Sequence, residues 1–254
     1  MEPKEQYKEA FKILKEEADI NSVFSEFNRQ MVLAISSGDA HPRDGGTLGE
    51  VLKDIHENRT KVVGDEFLQK NNKSDDFVKA DITDKTAFRY YTIEIPQYRT
   101  YVDYFVNLGE VDSDEVPAAE TYIEYYRDSD SVCATIMIRQ KHECVSDETI
   151  GKILKHELTH VVLFSIQYLS SISIDYSSSI ADENDRKTFD EFLCDYIQCE
   201  YITGPNDSPV AVFDDVCENY LTWVANDAYV PYKEAVVEYY KELEESIEGK
   251  GQEC

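Results

Sequence analysis

The chain predicts an α+β fold, with a small sheet set between two groups of helices. Three observations lead there. Apolar residues recur at helical spacing up to about residue 68 and again from about residue 147. Between those stretches lie four short runs rich in aromatic and β-branched residues. Elements of each kind are grouped along the chain instead of alternating, which separates α+β from α/β. The 254 residues are 42% hydrophobic and 12% aromatic, enough to bury the core of one large or two small domains.

Residues 4–36 read as helical. Phe11, Ile13 and Leu14 mark a first apolar face, and Val23, Phe24, Phe27, Met31, Val32 and Ile35 mark a second. Ser36-Ser37-Gly38-Asp39 ends the run, and the breakers from His41 to Gly46 predict a loop. Thr47 is a candidate cap for a helix carrying Leu48, Val51, Leu52 and Ile55, with helical character through Phe67 and Leu68. Residues 70–86 are polar and predict a loop. The region 1–86 is therefore helical and of open role.

The predicted strands are 87–96, 99–108, 120–128 and 131–140. Helix competes for the second and third. Asp128-Ser129-Asp130 has the composition of a hairpin turn. A helix follows over about 147–168, capped by Ser146 or Asp147, with Ile150, Ile153, Leu154, Leu158, Val161 and Val162 on its buried face. A serine-rich loop covers 169–187. A helix over 188–202 stops at Gly204-Pro205, and helices at 209–227 and 231–248 complete a C-terminal lobe before a frayed end. Residues 87–254 make up the second predicted domain: sheet 87–140, helix 147–168 and helical lobe 188–248.

The 25 basic and 52 acidic residues leave a net charge of −27. That balance argues against direct binding of nucleic-acid phosphates and of anionic membranes, and it favours basic partners or simple solubility. The charged N-terminus has no apolar signal core, and no run is long enough to span a bilayer. A cytoplasmic protein is expected, with export by a route that needs no signal peptide as the alternative. Six cysteines at 133, 144, 194, 199, 217 and 254 form no C-x-x-C pair and are expected to be free thiols.

The most informative stretch is His156-Glu157-Leu158-Thr159-His160, in the middle of the apolar 147–168 helix. Four residues turn an α-helix by about 400°, so the two imidazoles share a face and can converge on one ion. Glu157 points to a neighbouring angle, where it can hold a water without ligating. No histidine follows His160, so a third protein ligand has to be a carboxylate. The next helix offers Glu191 and Asp195, four apart on one face. One can bind the ion while the other accepts the free N–H of a ligating imidazole.

His156-Glu157-Leu158-Thr159-His160 followed by Glu191-Phe192-Leu193-Cys194-Asp195 resembles the gluzincin clan of zinc metallopeptidases, over about residues 156–195. The resemblance implies His156, His160 and Glu191 as ligands of Zn2+. It also implies Glu157 as general base and Asp195 as the partner of a ligating histidine. Asp190 is the chief rival to Glu191, ahead of Glu183 and Asp195. The implied fold is zincin-like: a small twisted sheet packed on the active-site helix. The implied activity is that of a zinc-dependent endopeptidase acting on a peptide or protein substrate, with basic substrates favoured by the charge. The run 131–140, directly before the helix, is the expected substrate-binding edge strand, an interior place being equally compatible.

The chain departs from the thermolysin-like pattern in having no downstream histidine for the oxyanion. Tyr196, Tyr201, Tyr220, Tyr229 and Tyr232, with Arg186 and Lys187, are the substitutes at hand. Cys144 is either a thiolate that blocks the ion in a latent form or a loop thiol, and Cys194 is expected to pack. Three other readings compete with the peptidase: a binding or regulatory protein on an inactive zincin fold, an acidic decoy for basic proteins, and a structural protein with an accidental motif.

Overall fold

A four-stranded mixed sheet separates two helical layers in the computed structural model. The structure describes residues 3–36, 47–70, 73–111, 117–141, 147–200, 219–225 and 229–250. In chain order the elements begin with α1 (Pro3–Glu16), α2 (Ile20–Ser36), α3 (Leu48–Val63), α4 (Asp65–Gln69) and α5 (Lys73–Asp81). The strands are β1 (Phe88–Ile95), β2 (Thr100–Val111), β3 (Ala119–Tyr126) and β4 (Ser131–Lys141). Then come α6 (Asp147–Tyr168), α7 (Glu183–Glu200), a helical stretch at 219–224 and α8 (Tyr229–Lys250). The predicted loop around His41–Gly46, the cap at Ser146, Cys144, Tyr201, the stop at Gly204-Pro205 and most of the predicted 209–227 helix lie outside the described residues.

The strand order is β1-β2-β4-β3, with β2 and β4 parallel and both outer pairs antiparallel. The run 131–140 is thus an interior strand, which corrects the expectation that it is the substrate-binding edge. Its residues explain the place. Val132, Ala134, Ile136 and Ile138 are buried on one face, and Cys133 and Met137 on the other. A strand covered on both faces needs that near-continuous apolar run. The edges are β1 and β3, and in β3 Glu120 and Glu124 interrupt the aromatic residues, as suits an edge. Arg127 to Asp130 turn β3 back into β4, with Asp130 left-handed at φ 50°, a conformation that Asp tolerates.

Period-two alternation assigns each sheet face to its own layer. Val102, Tyr104 and Val106 of β2 join α1, α2, α6 and α7 in the larger core. Tyr101 and Phe105 join α3, α4 and α5 in the smaller one. The described part of residues 1–86 is therefore split between the two faces.

Three local outcomes differ from expectation. The 4–36 run breaks at Ala18-Asp19, where Asp19 takes φ 44° and its carbonyl accepts from the Ser22 amide at 2.8 Å. Part of the polar stretch 70–86 is α5, because the sheet buries Val78 and Ile82. And α7 starts at Glu183, five residues before 188, where Asp182 Oδ1 accepts from the Asp185 amide at 3.0 Å. The predicted cap at Thr47 forms together with Glu50 as a reciprocal capping box. Among the described residues no helix is long and apolar enough to cross a membrane.

Candidate metal centre

The site is assembled by two helices that pack through apolar ridges. On α6, Leu154, Leu158, Val161 and Val162 are buried against the sheet and its helical layer. Burying a side chain such as Leu158 contributes about 1.5–3 kcal/mol, and that fixes the rotation of the helix. On α7, Phe189, Leu193 and Ile197 recur every four residues and enter the same core. His156 and His160 meet Glu191 and Asp195 beside this ridge.

Each imidazole is held from behind and faces the same carboxylate in front. His156 Nδ1 lies 3.1 Å from Asp195 Oδ1, and its Nε2 lies 3.4 Å from Glu191 Oε2. His160 Nδ1 lies 3.4 Å from Cys194 Sγ, and its Nε2 lies 3.5 Å from Glu191 Oε1. The ring centroids are 5.1 Å apart. Tyr240 OH donates to Glu191 Oε1 at 2.7 Å, and Tyr232 OH donates to Asp195 Oδ2 at 2.7 Å. Glu157 is buried, and its Oε2 accepts from the Thr121 hydroxyl on the edge strand.

The charges follow from these contacts. Burial opposes a proton on His156, but its bonds to Asp195 and Glu191, with the charges of Glu157 and Glu191, push its pKa up to about 10. Burial also opposes the Glu191 carboxylate. The His156 bond, the neighbouring His160 and the Tyr240 hydroxyl outweigh it and pull its pKa down to about 2. Glu191 is thus an ionised carboxylate paired with a charged His156 imidazole, whose proton a bound metal would displace.

Two side chains compete for third ligand. His156, His160 and Cys194 bring ligand-type atoms within 4.8 Å of one another. Yet the sulfur sits at His160 Nδ1, behind the ring, while both Nε2 atoms point at Glu191. Burial also pushes the Cys194 thiol well up, away from the thiolate that binds metals. Glu191 is therefore the better donor. Two imidazoles and one carboxylate are a donor set whose chemistry suits Zn2+, and the imidazoles are partly exposed.

The other candidates are engaged elsewhere. Asp190 accepts from Tyr176 OH at 2.9 Å and contacts neither imidazole; burial and the Glu191 charge push its pKa up to about 7 against that bond. Glu183 is exposed and pairs with Lys187. Tyr220 is locked in an aromatic cluster with Tyr7, Phe189 and Phe192. Tyr229 is bonded to Tyr7 and Asp185. Lys187 lies 5.0 Å over the Tyr240 ring, and Arg186 reaches the Ile180 carbonyl. Tyr232 touches the cluster, as the partner of Asp195; Tyr201 and the Tyr196 side chain lie outside the described residues. Sequence reasoning missed Thr121, Tyr240 and the contact of Cys194 with His160. One signal was present: Tyr229, Tyr232, Val236 and Tyr240 follow one stripe, spaced by three, four and four.

Comparison with known proteins returns no matching family model, no similar curated protein and no similar solved structure.

Proposed function

We propose that the chain is a zinc-dependent metalloendopeptidase of zincin type, with His156, His160 and Glu191 as ligands and Glu157 as general base. One observation carries this reading: both Nε2 atoms face the two oxygens of Glu191, while Asp195 and Cys194 hold the Nδ1 sides. Outer partners of this kind fix the tautomer and aim of ligating imidazoles. When bound, Zn2+ supplies Lewis acidity, polarising a carbonyl and making a water more acidic.

The chain's own residues do the rest. Glu157 takes the proton of the water that attacks the peptide carbonyl and returns it to the leaving amine. Thr121 keeps that carboxylate beside the edge of the sheet. The outer edge of β3 offers main-chain N–H and C=O groups to an extended peptide. The net charge of −27 favours basic substrates, and a cytoplasmic location belongs to the same proposal. The test is a digest of unstructured proteins and a diverse peptide library, with products read by mass spectrometry. Cleavage by the zinc-loaded wild type, abolished in Glu157→Gln with zinc still bound, is the expected result. Turnover that survives in Glu157→Gln, or no cleavage by the loaded wild type, contradicts the proposal.

A further inference from the structure

The C-terminal helix α8 reaches the cluster through hydroxyl groups. Tyr240 OH donates to the Glu191 oxygen that faces His160 Nε2. Tyr232 OH donates to Asp195, whose other oxygen faces His156 Nδ1. Both rings are fixed by packing. Lys187 lies over the Tyr240 face, a favourable cation–π placement. Trp223 meets Tyr232 edge-on at 4.8 Å. Val236, between the two tyrosines, is buried.

A carboxylate ligand can swing about its side-chain torsions and can bind through one oxygen or both. A phenol anchored on one oxygen removes much of that freedom before the ion arrives, so less ordering is left to oppose binding. The Tyr240 hydroxyl is already committed to Glu191, which argues for holding the ligand over meeting a substrate. We infer that Tyr240 and Tyr232 are positioning residues of the metal centre: Tyr240 fixes Glu191, and Tyr232 fixes Asp195 and through it His156. The C-terminal helix thus belongs to the site as well as to the fold. This rests on the metal centre proposed above.

The same helix contains its own control. Tyr229 donates to Asp185 at 3.0 Å and meets Tyr7 at 2.8 Å, tying α8 to α7 and α1 without touching the imidazoles or their carboxylates. A tyrosine that only docks the helix should behave as Tyr229 does.

The experiment is a zinc titration of the metal-stripped full chain against a chromogenic chelator, for wild type, Tyr240→Phe, Tyr232→Phe and Tyr229→Phe. Metal-free melting and the visible spectrum of the cobalt-substituted protein are recorded beside it. Loss of an outer partner typically weakens metal affinity about 10–100-fold, and that range is expected for Tyr240→Phe, with about tenfold for Tyr232→Phe. The cobalt spectrum should change in Tyr240→Phe. Tyr229→Phe should melt lower yet keep wild-type affinity and spectrum. Wild-type affinity in both Tyr240→Phe and Tyr232→Phe overturns the inference, as does an equal loss in Tyr229→Phe. A wild type that binds no zinc fails the metal centre itself, a separate result.

Discussion

On one face of the sheet Arg59 and Asp103 form a buried ion pair; on the other, His156, His160, Glu191 and Asp195 gather between α6 and α7. Both clusters join several elements, and protonation is shifted at Arg59 in one and at His156 and Glu191 in the other. They differ in closure. Arg59 Nε donates to Asp103 Oδ2 at 2.9 Å, and its Nη2 donates to the Ala134 carbonyl and the Thr135 hydroxyl. Asp103 Oδ1 accepts from Tyr90 and Thr92. One positive charge meets one negative charge, and both side chains are almost wholly shielded from solvent. Burial opposes the Arg59 charge, and Asp103, together with Cys133 and Tyr126, more than restores it. In the other cluster Glu157, Glu191 and Asp195 surround two imidazoles that are 17% and 20% exposed. A strong pKa shift is therefore no mark of function by itself. What sets the second cluster apart is a surplus of carboxylates over imidazoles and its partial exposure.

Three measurements test that contrast, and a fourth tests a carboxylate outside both clusters. The largest effect is expected at the open cluster: Glu157→Gln should lower turnover by about 10²–10⁴-fold, the usual worth of a general base, while zinc content stays at the wild-type value. The closed cluster should respond in stability alone. Arg59→Met strands a buried carboxylate and should cost about 3–5 kcal/mol in urea unfolding, leaving zinc affinity unchanged. A loss of zinc affinity in that variant would couple the two faces and break the contrast.

Third, zinc at about 100 times its Kd should stabilise the wild type by about 2.7 kcal/mol and His160→Ala by none, read as a shift in thermal unfolding. The smallest effect concerns Asp130, which lies in neither cluster. Bonds from the Ser170 hydroxyl and amide hold its carboxyl below the usual range. A carboxyl depressed in the folded state adds stability above the unfolded-state pKa and loses it as pH falls through the folded one. Asp130→Asn should therefore be about 0.5 kcal/mol less stable at neutral pH, a value kept small by solvent screening. The gap should narrow as pH falls through the folded-state value, which lies below the ordinary Asp range. An unfolding series against pH checks it.

Local signals were the legible ones. Thr47 and Glu50 announce the start of α3 because both halves of the capping box lie within one turn. The apolar residues of β4 on both faces are also local, and they mark the interior strand that the expectation of an edge passed over. The α5 helix was hidden because its stretch is polar and the burial of Val78 comes from the sheet, a tertiary partner. In the same way, His156, Glu157 and His160 are readable from spacing on one helix, and Glu191 with Asp195 from spacing on the next. Thr121 stands 36 residues from Glu157, and Tyr240 stands 49 from Glu191. Nothing in a helical or strand period joins such positions; the packing of α8 on α7 and of α6 under β3 does.

The proposed centre has His156, His160 and Glu191 holding one zinc ion. Metal content by plasma mass spectrometry, for the zinc-reconstituted wild type beside His160→Ala and Glu191→Ala, tests it most directly. About one zinc per chain in wild type, lost in both variants, is the predicted result. No zinc in the reconstituted wild type, or zinc retained in Glu191→Ala, would contradict it.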